Sequence, residues 1–156
     1  MHGEPKTARG RSEPRAVQFS VFLANRVGQL KELLETFAEQ DVGVLGLSVV
    51  DSTDWAVIRI VFSIPDKARD VLKAKALPFT ESDVLLVELG REDALTNICS
   101  LLVTAEISIH FAYPLILRRN DNPVLVLHVD NLVPARHILA KHGVPLLGDE
   151  DLADLS

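Results

Sequence analysis

A single cysteine, Cys99, stands among 156 residues, so no internal disulfide can form and no cysteine-based zinc cage can be built within one chain. Such usage fits a reducing, cytoplasmic setting. Aromatic residues make up 5%, with one Trp and one Tyr, and no RNP1-like run occurs. The base-stacking surface of RNA-binding sheets is therefore missing. Lys and Arg number 16 against 22 Asp and Glu, and a net charge of -6 argues against a phosphate-backbone ligand, which needs clustered cations. No apolar run approaches the roughly 18 residues of a membrane span, and the N-terminus lacks a signal-peptide core. Neither nucleic acid nor membrane is an expected partner.

A convergent catalytic set is also lacking. His110 and His128 fall in predicted strands, His137 and His142 stand on a predicted helix at a spacing that does not share one face, and His2 is near the N-terminus. Each is expected to have a surface or hydrogen-bonded structural role, so no catalytic residue, metal or cofactor is expected. Cys99 occupies an apolar stripe, which predicts a buried, inert thiol. Glu32, Glu35 and Glu39 share a helix face with Lys31 and read as solvated charge.

What the chain does contain is enough apolar residue, 47%, to bury a core. Residues 1–15 mix Gly3, Pro5, Gly10 and Pro14 with Lys6, Arg9, Arg11 and Arg15, which predicts a disordered tail. Residues 150–156 are acidic and read as a C-terminal tail trimming the surface.

Between these ends the sequence repeats itself. Leu30, Leu33, Leu34, Phe37 and Ala38 form one helical stripe, and Leu95, Ile98, Cys99, Leu102 and Val103 repeat it 65 residues on. Ala68-Arg69-Asp70-Val71-Leu72 is echoed by Ala135-Arg136-His137-Ile138-Leu139, and Leu77-Pro78-Phe79 by Val144-Pro145-Leu146, both 67 residues on. The extra residues fit the hairpin, where Arg118 to Asn122 replaces the shorter Asp51 to Asp54. Each copy reads as βαββαβ, over residues 16–81 and 82–149. Right-handed crossovers then place both helices on one face of an antiparallel sheet, giving an α+β fold of two ferredoxin-like units. The last strand of the first copy is placed near Pro78 to Glu81, and the first strand of the second near Val84 to Leu89.

The strands near Val42 to Val50 and Trp55 to Phe62 are apolar in both parities, although a sheet with one wet face should alternate. A second chain covering that face would remove it from water, so a homodimer is expected.

One turn remains as a candidate site: Ala24-Asn25-Arg26-Val27-Gly28-Gln29-Leu30, between the first strand and first helix. Asn25 is a good N-cap type, and Gly28 permits close backbone approach. The amides of a helix N-terminus suit a carboxylate. A strand, then Asn-Arg-Val-Gly-Gln-Leu opening an amphipathic helix, then Asp-Val-Gly-Val entering the second strand, all duplicated, resembles the ACT domain family over residues 16 to about 149. The family loop usually has proline where Val27 stands. The resemblance implies a tandem ACT regulatory protein that senses an amino acid or similar small ligand. By it, Asn25, Arg26, Val27, Gly28, Gln29 and Leu30 are candidate ligand contacts, faced by the second-copy strand with Ile109, His110, Phe111 and Tyr113. An alternative is a regulatory subunit of an amino-acid metabolic enzyme, resembling the small subunit of acetohydroxyacid synthase and acting through protein contacts. In the second copy Gly90-Arg91-Glu92-Asp93 replaces Asn25-Arg26-Val27-Gly28, and this loop is expected not to bind.

Overall fold

Val17, Phe19, Val21 and Leu23 alternate with Gln18, Ser20 and Phe22, which commits the first strand to one apolar face against packed helices. The computed structural model describes residues 14–24 and 27–156. Its elements run β1 (Ala16–Ala24), α1 (Gln29–Glu39), β2 (Val44–Asp51), β3 (Trp55–Phe62), α2 (Pro65–Ala74) and β4 (Phe79–Glu88). They continue α3 (Ala94–Thr104), β5 (Ile109–Pro114), β6 (Val124–Val129), α4 (Leu132–Lys141) and β7 (Leu146–Leu147), then a 3₁₀ helix, Asp149–Asp154. The fold is a tandem of ferredoxin-like βαββαβ units with antiparallel sheets and helices on one face.

The chain divides into two compact units, Val17–Ser82 and Asp83–Ser156 with the segment ending at Ala16. In the first, the sheet order is β2-β3-β1-β4, and the Phe22 amide donates to the Pro78 carbonyl at 3.0 Å. In the second it is β5-β6-β4, with β7 also paired to β4. The two strands expected near residues 78–81 and 84–89 are thus one continuous strand, β4, contributing its beginning to one unit and its end to the other. Ser82 and Asp83, turn-type residues between Glu81 and Val84, stay in extended conformation and continue the strand.

The first core gathers Phe19, Val21, Leu23, Leu33, Phe37, Ile58, Ile60, Phe62, Ala68 and Leu72. Phe62 meets Phe37 at 4.5 Å and Phe19 edge-on at 5.3 Å between ring centroids. Burying each such ring contributes about 1.5–3 kcal/mol. The second core has Leu85, Val87, Ile98, Leu102, Leu127, Val129, Ala135 and Leu139 in the corresponding roles.

Backbone geometry carries the duplication further than side chains do. All four of these helices, α1 to α4, end in the same motif, in which the residue after the C-cap turns left-handed and the next amide reaches back five residues. The left-handed residues are Asp41 (φ 56°), Ala76 (φ 53°), Glu106 (φ 56°) and Gly143 (φ 75°). The returning bonds are Val42 to Phe37, Leu77 to Leu72, Ile107 to Leu102 and Val144 to Leu139, each joining two apolar residues, at 2.9–3.2 Å.

Several expectations need correcting. Cys99 is exposed, together with Leu95 and Val103, because only Ile98 and Leu102 of that stripe face the core. The acidic C-terminus is part of the fold: Asp151 and Leu152 are buried, Gly148 donates to Asp151 Oδ2 at 2.9 Å, and Ser156 and Arg118 exchange backbone hydrogen bonds. At the other end residues 1–13 lie outside the described residues, whereas Arg15 accepts from the Asp149 amide at 2.8 Å. Of the two strands expected to need a covering chain, Val49, Val50 and Trp55 are exposed. Leu45, Val61, Val84, Leu86, Val124, Val126 and Leu147 belong to neither helix-packed core, yet all are already buried in the single chain.

Candidate functional site

Of the turn singled out by sequence, Asn25 and Arg26 lie outside the described residues. Val27 is fully exposed. Gly28, rather than Asn25, is the N-cap of α1, in a left-handed conformation (φ 88°), and its carbonyl accepts from the Glu32 amide at 3.0 Å. A Cβ built there would meet nothing within 4 Å among the described residues. Leu30 turns into the core.

Gln29 lines a recess of about 130 Å³ with Leu23, Glu32, Leu33, Thr36, Lys75 and Leu77. That is below the roughly 300 Å³ at which drug-sized pockets begin, and suits a small ligand. Leu23, Leu33 and Leu77 are its apolar part. Among the described residues Gln29 Oε1 has no hydrogen-bond partner although it is buried, and a buried acceptor left so costs about 1–3 kcal/mol. Among the described residues no ion pair engages Glu32 or Lys75. Opposite charges and an unused acceptor thus border one small cleft. Sequence reasoning missed Glu32, Thr36 and Lys75. The i, i+3, i+7 spacing of Gln29, Glu32 and Thr36 was legible, but the contribution of Lys75 and Leu77 from the end of α2 was not.

The second unit has a recess at the repeat-related place, about 180 Å³, between the start of α3 and the end of α4. Ala94, Asn97 and Ile98 stand where Gln29, Glu32 and Leu33 stand in the first, and His142 and Val144 replace Lys75 and Leu77. Its entrance is chemically different. Asp93 takes the N-cap position in an ordinary conformation (φ -91°) and accepts from Arg91 Nε and Nη2 at 3.0 and 2.8 Å. The hydrogen bond from Arg91 holds the Asp93 carboxyl below its ordinary range. The loop is also one residue shorter, since Glu88 repeats the Phe22 bond to a proline carbonyl 66 residues on, while the helical stripe repeats after 65.

The remaining predicted contacts belong to β5 of the second unit, and the first-unit recess is lined without them. Ile109 is partly exposed and Tyr113 buried. His110 Nδ1 lies 3.1 Å from His128 Nδ1, and Phe111 stacks on the His128 ring at 4.7 Å with the planes 9° apart.

A duplicated βαββαβ chain, with matching recesses where a helix begins, falls among proteins built from paired ferredoxin-like units. Residues 15–156 match the ACT domain pair family, and the chain belongs to it. Among solved structures, it is similar to protein BT0572 from Bacteroides thetaiotaomicron, at 27% identity and a TM-score of 0.80, over 88% of this chain and 95% of that one. The regulatory subunit of aspartate kinase from Thermus thermophilus shares the fold at 9% identity and a TM-score of 0.55, over 83% of this chain and 91% of that one. Its counterpart from Thermus flavus does so at 11% and 0.53, over the same shares. No curated protein matches the chain. Among the described residues no helix is long and apolar enough to cross a membrane.

Proposed function

We propose that this ACT domain pair is a non-catalytic regulatory protein that binds an amino acid or a similar small carboxylate at the start of α1. The observation that carries the reading is the first-unit recess, where Lys75 offers a cation to a carboxylate and Glu32 with Gln29 Oε1 offers acceptors to an ammonium. Leu23, Leu33 and Leu77 leave apolar surface for a short side chain. Gly28, the N-cap of α1, immediately precedes Gln29 of this recess in the chain, and Asn25 to Gly28 stay proposed as ligand contacts. The reading requires nothing from β5.

Thermal-shift screening against the twenty amino acids tests it. A ligand at 100 times its Kd should add about 2.7 kcal/mol to stability. The shift is expected to disappear in Lys75→Met and Glu32→Gln, both exposed positions where substitution leaves the fold intact. No shift with any amino acid would remove the proposal.

A homodimer is part of the same reading, now on different grounds. The α3 sequence, Ala94 to Thr104, has no charged residue, and Leu95, Cys99 and Val103 are exposed one turn apart on it. Sedimentation at micromolar concentration is expected to give twice the chain mass, and Val103→Glu to give the monomer.

A further inference from the structure

We propose that His110 and His128 form a binding site for a divalent transition-metal ion of the zinc or copper(II) class, independent of the amino-acid recess. The two imidazoles face each other from neighbouring antiparallel strands with their Nδ1 atoms 3.1 Å apart. Two nitrogen ligands at the usual 2.0–2.1 Å from one ion, set 3.1 Å apart, subtend about 100° at the metal. That lies between square-planar and tetrahedral angles, so the spacing of the two nitrogens admits one ion, which would replace the hydrogen bond between the rings.

The backbone makes this pairing by a specific device. Pairing between β5 and β6 passes from Ile109 opposite Val129 to Phe111 opposite His128, leaving His110 as the extra residue of a β-bulge. The bulge sets His110 and Phe111 on either side of His128's register, one within hydrogen-bond distance and the other stacked flat on its ring. Stacking fixes the plane of the His128 imidazole, and so the direction of its Nδ1 lone pair.

The duplication shows that the bulge itself does not require histidine. In the first unit, pairing between β2 and β3 shifts in the same way between Val44 and Gly46, leaving Leu45 extra beside Val61. Leu45 and Val61 correspond to His110 and His128 at the repeat offsets of 65 and 67, and both are buried apolar residues. One backbone feature therefore carries an apolar pair in one unit and two convergent nitrogen ligands in the other. Imidazole is a preferred ligand for zinc, copper and nickel. Among the described residues no group of three or more His, Cys, Asp or Glu side chains converges, so the chain supplies two ligands here and the other coordination positions stay open to water or a small chelating molecule.

Titrating untagged full-length protein with Zn(II) by calorimetry, and with Cu(II) by electron paramagnetic resonance, tests this. One ion per chain is expected, with two equatorial imidazole nitrogens in the Cu(II) spectrum. His110→Gln is an exposed substitution that leaves the fold intact and should weaken binding at least tenfold. His110→Leu with His128→Val copies the first unit's pair and should abolish the site while circular dichroism stays unchanged. No binding by the unaltered protein, or equal affinity and the same nitrogen pattern in either variant, would overturn the proposal; the latter would place the ion on His137, His142 or His2.

Discussion

Arg119 donates from Nη1 to the Glu88 carboxylate at 2.9 Å, joining the connection after β5 to the last residue of β4. Asn122 Nδ2 donates to the other carboxylate oxygen at 2.8 Å, and Asp154 lies 3.5 Å from Arg119 Nη2. Only 16% of the Arg119 side chain and 8% of Glu88 are accessible, so each charge depends on the other. Burial works against the Arg119 charge, and the hydrogen bond and charge of Glu88, with Asp151 and Asp154, outweigh it. Glu88→Ala leaves the half-buried Arg119 cation with Asp154 as its remaining ion-pair partner and is expected to cost about 2–3 kcal/mol in urea unfolding, below the full cost of an orphaned buried charge. A loss below 1 kcal/mol would show that Arg119 finds water or another acceptor.

The four helix ends offer a test of backbone strain without altering any side-chain contact of the core. Ala76 turns left-handed where Gly143 does so in the second unit. Ala76→Gly is expected to stabilise the protein by about 1 kcal/mol, and Gly143→Ala to destabilise it by a similar amount. Thermal unfolding of both variants measures the pair, and the two shifts should have opposite signs.

Acid sensitivity is expected at Glu81. Its carboxyl is held below the ordinary 4.5 by the hydrogen bond from Arg69, whose Nη2 and Nε lie 2.6 and 2.8 Å from it. A depressed folded-state value gives stability that is present above the ordinary value and lost as pH falls through the folded one. The difference in Tm between the unaltered protein and Glu81→Gln should therefore be largest near neutrality and shrink below about pH 4. A difference that grew in acid would reverse the assignment.

Gly28 and Asp93 make the two recess entrances chemically unlike. Gly28→Asp brings to the start of α1 the carboxylate that Asp93 places at the start of α3. It is expected to lower affinity for the best amino acid of the thermal screen at least tenfold, at a folding cost of about 1–2 kcal/mol for an L side chain at positive φ. Asp93→Gly should leave first-site affinity unchanged. Calorimetry on both variants decides between them, and unaltered binding by Gly28→Asp would move the site elsewhere.

Much of the architecture was legible because it rests on period and repetition. The stripe from Leu30 to Phe37 and its copy from Leu95 to Leu102 give the helices, and the Ala-Arg echo fixes the second helix of each unit. The same stripes misled over Cys99 and Val103, since period alone does not say how wide the buried arc is. In α3, two residues per two turns, Ile98 and Leu102, suffice to meet the sheet. The uncharged outer face looked like core because its composition is apolar. Of the candidate site, Gln29 was found and its partners were not. Lys75 and Leu77 lie nearly fifty residues away in the chain, and only the packing of α2 beside α1 brings them to it.

The sequence by itself determined the order of elements, the duplication and the family, because these follow from local periodicity and from residues whose spacing survives in both copies. Tertiary structure alone decided that β4 serves both units, that the acidic C-terminus folds back onto the second, and that His110 meets His128. Each of these depends on pairing between backbone segments distant in the chain. A single bulged residue in β5 changes which side chains face each other across the strands, and nothing in the local pattern of β5 records it.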